Sequence, residues 1–227
     1  MDFATICKNI AELWSQYWRV FIFEGVVTTL KLTTFAVALG ALLGMVVAML
    51  KMSKYRIVRF FIAVYVEVIR GTPMLLQLFL FYFVLPSMFP LFNFEPFTWV
   101  AIALCINSSA YVSEVFRSGI QSVDKGQTEA ARSLGLSHRQ TMTHIVIPQA
   151  IKNVLPALGN EFIMILKDTS LASTFFLGDI MTKYVEIRGV TYLTLECLII
   201  TGAIYLCLTF PLSKLVEAFE RKIKDAD

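Results

Sequence analysis

The stretch TEAARSLGLSHRQTMTHIVIPQA, Thr128–Ala150, is polar, carries two histidines and the charges Glu129, Arg132 and Arg139, and ends beside Pro148 and Pro156. The chain around it is apolar. Leu32–Leu50 runs 19 residues without a charge, Gly71–Phe94 24, Pro96–Ser113 18 and Cys197–Ser213 17. Runs of about 20 residues match a hydrocarbon layer roughly 30 Å thick at 1.5 Å per helical residue. The 227 residues are 57% hydrophobic and 16% charged, against about 25% charged in soluble domains. The composition is that of an all-α integral membrane protein, and the quoted stretch is the polar segment that divides its spans.

About five spans are predicted, over 22–50, 57–88, 97–120, 149–169 and 191–213, with a possible short, partly buried helix in 170–190. The fourth is the least regular, being broken by Pro156, Gly159, Asn160 and Glu161. Residues 1–21 are expected as an amino-terminal interfacial segment, with Trp14, Tyr17 and Trp18 at the headgroup boundary, and without the pattern of a removable signal peptide. Residues 22–213 form the transmembrane domain, with a loop at 121–148, and 214–227 a tail. Lys and Arg number four in 51–59, five in 117–152 and four after 213, against two in the amino-terminal segment, none in 85–96 and three in 167–190. The positive-inside bias puts the amino terminus outside and the loop and carboxy terminus in the cytoplasm. An odd span number does not divide into two repeats, so a path is expected between two copies or between this chain and a relative.

Within the loop, 127–135 reads as a short helix with Ala130, Ala131 and Leu134 on a small apolar face and Gly135 at its end. Ser137 to Gln140 reads as a capping box opening a second helix. Such a pair is either a compact protrusion for a partner or a plain connection between spans. Gly40-x-x-x-Gly44 permits close helix packing, or is two glycines in an ordinary membrane helix. The four cysteines (Cys7, Cys105, Cys197, Cys207) form neither a CxxC pair nor a cluster with histidine, which speaks for neither a disulfide framework nor a metal site. The net charge of +3 is spread through the membrane flanks and gives no support to nucleic-acid binding.

Charges within spans cost about 2.5–3.5 kcal/mol each on insertion scales and are functional candidates. Glu67/Arg70 and Glu114/Arg117 are each three apart, a spacing that lets opposite charges pair along one helix. After Arg70, Gly71 breaks the helix, Thr72 is a candidate N-cap and Pro73 suits the first position of a new helix. That new helix end would suit a substrate carboxylate, or the site is a proline kink. Glu161, beside Asn160, has no basic residue three or four positions away and could face a substrate amine or hold a neighbouring helix. Asn107, Ser108 and Ser109 make a polar notch in the third span that could line the same substrate cavity, or whose serines bond back to their own helix. Lys167 and Asp168 mark the outer end of the fourth span as a gate or subunit contact. No set of residues resembles an acid/base or nucleophilic site.

The pattern Glu129-Ala130-Ala131, three residues, Gly135, nine residues, Ile145-Val146-Ile147-Pro148 resembles the EAA loop of permease subunits in ATP-binding-cassette (ABC) importers, with Ile147 where leucine is usual. Val68-Ile-Arg-Gly-Thr-Pro-Met-Leu-Leu-Gln77, Ala110-Tyr-Val-Ser-Glu-Val-Phe-Arg117, and Asn160-Glu161 with Leu166-Lys-Asp-Thr-Ser-Leu171 resemble the polar amino acid importers of histidine, glutamine, arginine and cystine type. The resemblance runs from about residue 22 to the end. It implies a type I importer permease fold, docking of the Glu129–Gly135 helix on a cytoplasmic ATPase dimer, and an extracytoplasmic amino acid binding protein as a further partner. No GxxxxGK(S/T) loop is present, so ATP and Mg are expected in the partner ATPase and no cofactor in this chain. The competing reading is a stand-alone secondary amino acid carrier or channel, which would need an ion-coupling site.

Overall fold

The computed structural model describes residues 2–92 and 94–224, with only the backbone of Lys224. Residues 225–227 of the expected tail and position 93 of the 85–96 loop lie outside the described residues. Helix α1 is one continuous rod, Phe3–Lys51, widened to a π-helical turn at Val20–Val26. It joins the expected interfacial segment and first span, because no Gly or Pro punctuates the chain before Gly25. Helix α2, Arg56–Gly71, and α3, Met74–Met88, meet at a 106° bend. The expected single span 57–88 is thus a broken one. Helix α4 is Pro96–Gln121, α5 is Lys125–Ser133, and α6 covers residues 138–168, with a π turn at Met142–Val146. A 3₁₀ segment, Thr169–Phe175, leads to α7, Ile180–Thr191, the short helix foreseen in 170–190. Helix α8, Thr194–Lys224, absorbs the expected tail. An i,i+3 pair, Lys214 Nζ to Glu217 Oε2 at 2.7 Å, supports that extension.

Helices α1, α4 and α8 are long and apolar enough to cross a membrane, and α2 with α3 qualifies as a broken fourth. Helix α6 is not among them. Its segment Ile147–Asp168, at 22 residues, has the length, but Lys152, Asn153, Asn160 and Glu161 dilute its apolarity.

The core forms where α1 lies against α4. A Cβ at Gly40 would stand 2.8 Å from Ser108 Cβ, and one at Gly44 2.7 Å from Val112 Cγ1 and 2.9 Å from the Ser109 carbonyl. The GxxxG pair is therefore a contact surface that lets two backbones approach. One apolar cluster joins Leu32, Ala36, Leu78, Leu104, Ile165 and Phe175 across α1, α3, α4, α6 and the 3₁₀ segment. A second joins Leu13, Phe21, Ile180, Tyr184, Ile187 and Ile200 across α1, α7 and α8. Together the two clusters leave the α2–α3 break and one side of α6 at the edge of the bundle.

Candidate functional site

The break between α2 and α3 is held by side chains. Thr72 has extended backbone (φ −113°, ψ 145°), and Pro73, at φ −60° and ψ 136°, precedes the first helical residue, Met74. Thr72 does not cap α3: its hydroxyl donates back to the Val68 carbonyl at 2.8 Å. Gln77 does the bridging, its Nε2 donating to the Ile69 carbonyl at 2.7 Å and to Thr72 Oγ1 at 2.9 Å. Asn107 Nδ2 in turn donates to Gln77 Oε1 at 3.0 Å. Asn107 and Gln77 are buried: the Gln77 amide replaces a backbone donor that the broken helix has lost, and Asn107 holds the Gln77 side chain in place. Gln77 is a functional candidate that the sequence reading missed. Its partner lies 30 residues away, a pairing that no local spacing reveals.

Glu67 and Arg70 do not pair. Arg70 instead stacks its guanidinium over Tyr111, 5.4 Å from the ring centre, and reaches Glu114 Oε2 at 3.9 Å. Glu114 is already saturated by Lys51 Nζ at 2.5 Å on Oε1 and by Arg117 Nη2 at 2.6 Å on Oε2. Glu114/Arg117 is thus the neutralising pair its spacing suggests, with Lys51 of α1 as a third member. Glu67 is exposed and makes no ion pair or hydrogen bond among the described residues.

On α6, Glu161 is buried, with 4% of its surface exposed, and faces α4. Neither Ser108 Oγ nor Glu161 Oε1 attains a hydrogen bond among the described residues. Gly40 packs against the other side of Ser108. Asn160, one residue earlier, is exposed, as are Met164 and Lys167. Positions 160, 164 and 167 follow the four-and-three spacing of one helical stripe. Asp168 ends α6 half-buried. The arrangement separates the expected substrate residues into two sets: Glu161, Asn107, Ser108 and Thr72 inside the bundle or at its break, and Asn160, Glu67 and Arg70 exposed, with Lys167, expected as a gate or subunit contact, on the same stripe as Asn160.

Lys183 is a further buried charge outside that set. Its Nζ contacts Glu24 Oε2 at 2.8 Å and Glu186 Oε2 at 2.9 Å. Burial works against its charge, but the two carboxylates outweigh it and hold the ammonium above its ordinary pKa. Asp179 caps α7 through the Met181 N–H at 2.9 Å and accepts from Thr182 Oγ1.

In the cytoplasmic-type loop, α5 starts at Asp124, whose Oδ1 accepts the Gly126 N–H at 2.7 Å. It ends in a Schellman turn: the Leu136 N–H donates to the Ala131 carbonyl at 3.1 Å and the Gly135 N–H to Arg132 at 3.0 Å. Gly135 stands at φ +87°, the left-handed region where glycine is favoured. Ser137 and Gln140 form the expected capping box. Glu129, Ala130 and Leu134 are exposed, Leu134 to 83%. Ala131 is buried, however, and leaves the expected apolar face. Helix α5 turns it inward while the π turn at Met142–Val146 packs against α5.

Residues 40–225 match the family described as binding-protein-dependent transport system inner membrane component. The chain belongs to that family. This permease is 41% identical over 207 residues to the arginine transport system permease protein ArtQ of Bacillus subtilis (strain 168), covering 91% of this chain and 94% of that one. The L-cystine transport system permease protein TcyB of the same organism is 37% identical over 211 residues, at 92% and 88% coverage. Among solved structures, an amino acid ABC transporter crystallised with histidines superposes with a TM-score of 0.87 at 45% identity, covering 98% of this chain and 99% of that one. The methionine transporter MetNI, in an inward-facing form, gives 0.70 at 15% identity, over 88% and 96%, a likeness of fold alone. The permease is a multi-pass inner-membrane protein with the type I ABC importer fold.

Proposed function

We propose that this permease is the membrane subunit of an ATP-driven, binding-protein-dependent importer of polar amino acids, working as a dimer with a second copy or a paralogue. The observation that carries the reading is the α5 helix, fixed by a cap, a Schellman turn and a capping box, with Glu129, Ala130 and Leu134 bare. A cytoplasmic ATPase dimer grips that helix and supplies ATP and Mg; the chain itself carries no GxxxxGK(S/T) loop. The path runs along the open side of α6, where Asn160 and Lys167 are exposed on one helical stripe; a polar residue such as Asn160 in a span calls for a protein or aqueous surrounding. Glu161, Ser108 and Asn107 lie one residue layer behind it. The amino acid class is supported by the named relatives. A binding protein outside delivers the substrate, and ATP favours one state through differential contacts with the loop.

The test is ATPase activity of the complex in liposomes, with binding protein on the outer side, across a panel of amino acids. Stimulation by one loaded binding protein is expected. Uptake of amino acids down an ion gradient by the permease without an ATPase would overturn the reading in favour of a secondary carrier.

A further inference from the structure

Glu67 lies where a carboxylate should not be bare. Two residues before it, Tyr65 Oη bonds the Ile106 carbonyl at 3.1 Å and Ser109 Oγ at 2.6 Å. Three residues after it, Arg70 meets Tyr111 and Glu114. These contacts place Glu67 beside the middle third of α4, in the first half of the broken candidate span formed by α2 and α3. It shares its helix face with Phe60 and Val64, both exposed, and with Gly71, whose Cβ position has nothing within 4 Å. A lipid-facing carboxylate at this depth is disfavoured, so the face is covered by something polar.

Arg70 is the complementary half. Glu114 has given both oxygens to Lys51 and Arg117 at 2.5–2.6 Å, leaving Arg70 at 3.9 Å as the surplus cation, with 40% of its side chain exposed. One chain therefore presents, three residues apart on an open helix, one carboxylate without a partner among the described residues and one weakly engaged guanidinium. A two-fold axis brings like surface onto like surface, residue i meeting j and j meeting i. A surface carrying one charge of each sign is self-complementary under that operation.

We infer that α2 meets α2 of a second copy of this chain, with Glu67 of each copy paired to Arg70 of the other, beside the break that opens into the path. This rests on the dimer reading above, and it makes the pair of α2 helices a charged closure of the path at the Gly71–Pro73 break. The 106° bend gives each α2 an end that can pivot against α3.

The test uses the complex with its ATPase and two differently tagged copies of the permease. Complexes containing only Glu67→Arg, or only Arg70→Glu, place like charges across the axis twice. They should lose on the order of tenfold in ligand-stimulated ATPase coupling. A mixed complex, one copy Glu67→Arg and the other Arg70→Glu, restores both cross-axis pairs while leaving like charges within each chain. Recovery in the mixed complex is expected, and the recovery itself shows that both variants fold. If the mixed complex is as defective as the uniform ones, or if the uniform ones are unimpaired, the pairing is wrong even though the importer reading stands. If the two wild-type tags do not co-purify, self-pairing and the dimer of identical copies fall together.

Discussion

Gly44 shows how much a single hydrogen atom decides. Its Cα sits against α4 so closely that a side chain would meet the Ser109 carbonyl at 2.9 Å, a backbone atom that cannot swing aside. Gly44→Val should therefore destabilise by about 1–3 kcal/mol, the usual cost of overpacking, read as a lower thermal midpoint in detergent. Gly202→Ala, with open space at its Cβ, is the matched control and should change little. Asn107 makes the opposite kind of contribution. Asn107→Leu keeps the volume but removes the donor to Gln77 Oε1, leaving a buried acceptor at a cost of about 1–3 kcal/mol. Loss of thermal stability together with reduced transport is expected, since the same amide braces the break; transport at wild-type level would remove Asn107 from the hinge. The glycine pair was legible in the sequence because its spacing is local. Gln77 was not, because an amide's partner across helices leaves no trace in spacing, and the Glu67/Arg70 spacing suggested a pair that tertiary contacts from Tyr111 and Glu114 prevent.

At the scale of elements, the existence and the end of α5 were legible, while its start was not: the helix opens at Lys125 on the Asp124 cap, two residues before the expected 127. Gly135 and the Ser137/Gln140 box are signals of backbone geometry, and the backbone follows them. The face that α5 presents was less legible: a nine-residue helix touches its neighbour along one stripe, and only the packed π turn shows that Ala131 belongs to it. Leu134→Asp should leave the thermal midpoint unchanged, since the side chain is 83% exposed, yet abolish co-purification of the ATPase. Gly135→Val adds strain, about 1–2 kcal/mol for a left-handed non-glycine residue, so it should cost both stability and docking. If Leu134→Asp captures ATPase normally, the apolar anchor lies elsewhere on α5. The expected boundary between amino-terminal segment and first span leaves no mark on the helix. Aromatic residues mark a membrane boundary, not a helix end, and nothing between Phe3 and Val20 stops the helix.

For the whole molecule, the parity of crossings carries the functional reading. Helices α1, α4 and α8 and the broken pair α2–α3 are apolar enough to cross; if α6, which has the length, crosses with them and the pair traverses the bilayer, the crossings number five and the two chain ends lie on opposite sides. If the 106° bend returns the chain to its starting face, the count is four and both ends lie together. The second case would also put α5, between α4 and α6, on the side opposite an ATPase that shares the face of the α1–α2 turn. Lys51, Lys54, Arg56 and Arg59 around that turn are the basic cluster expected at the cytoplasmic face. Two cysteines distinguish the cases in a chain whose other cysteines are replaced. Cys7 is exposed near the start of α1, and Lys222→Cys would be exposed near the end of α8. A membrane-impermeant maleimide applied to intact cells should label Cys7 and spare position 222 until the membrane is permeabilised. Labelling of both from outside would make α2–α3 re-entrant, and α5 could then no longer be the handle of a cytoplasmic motor.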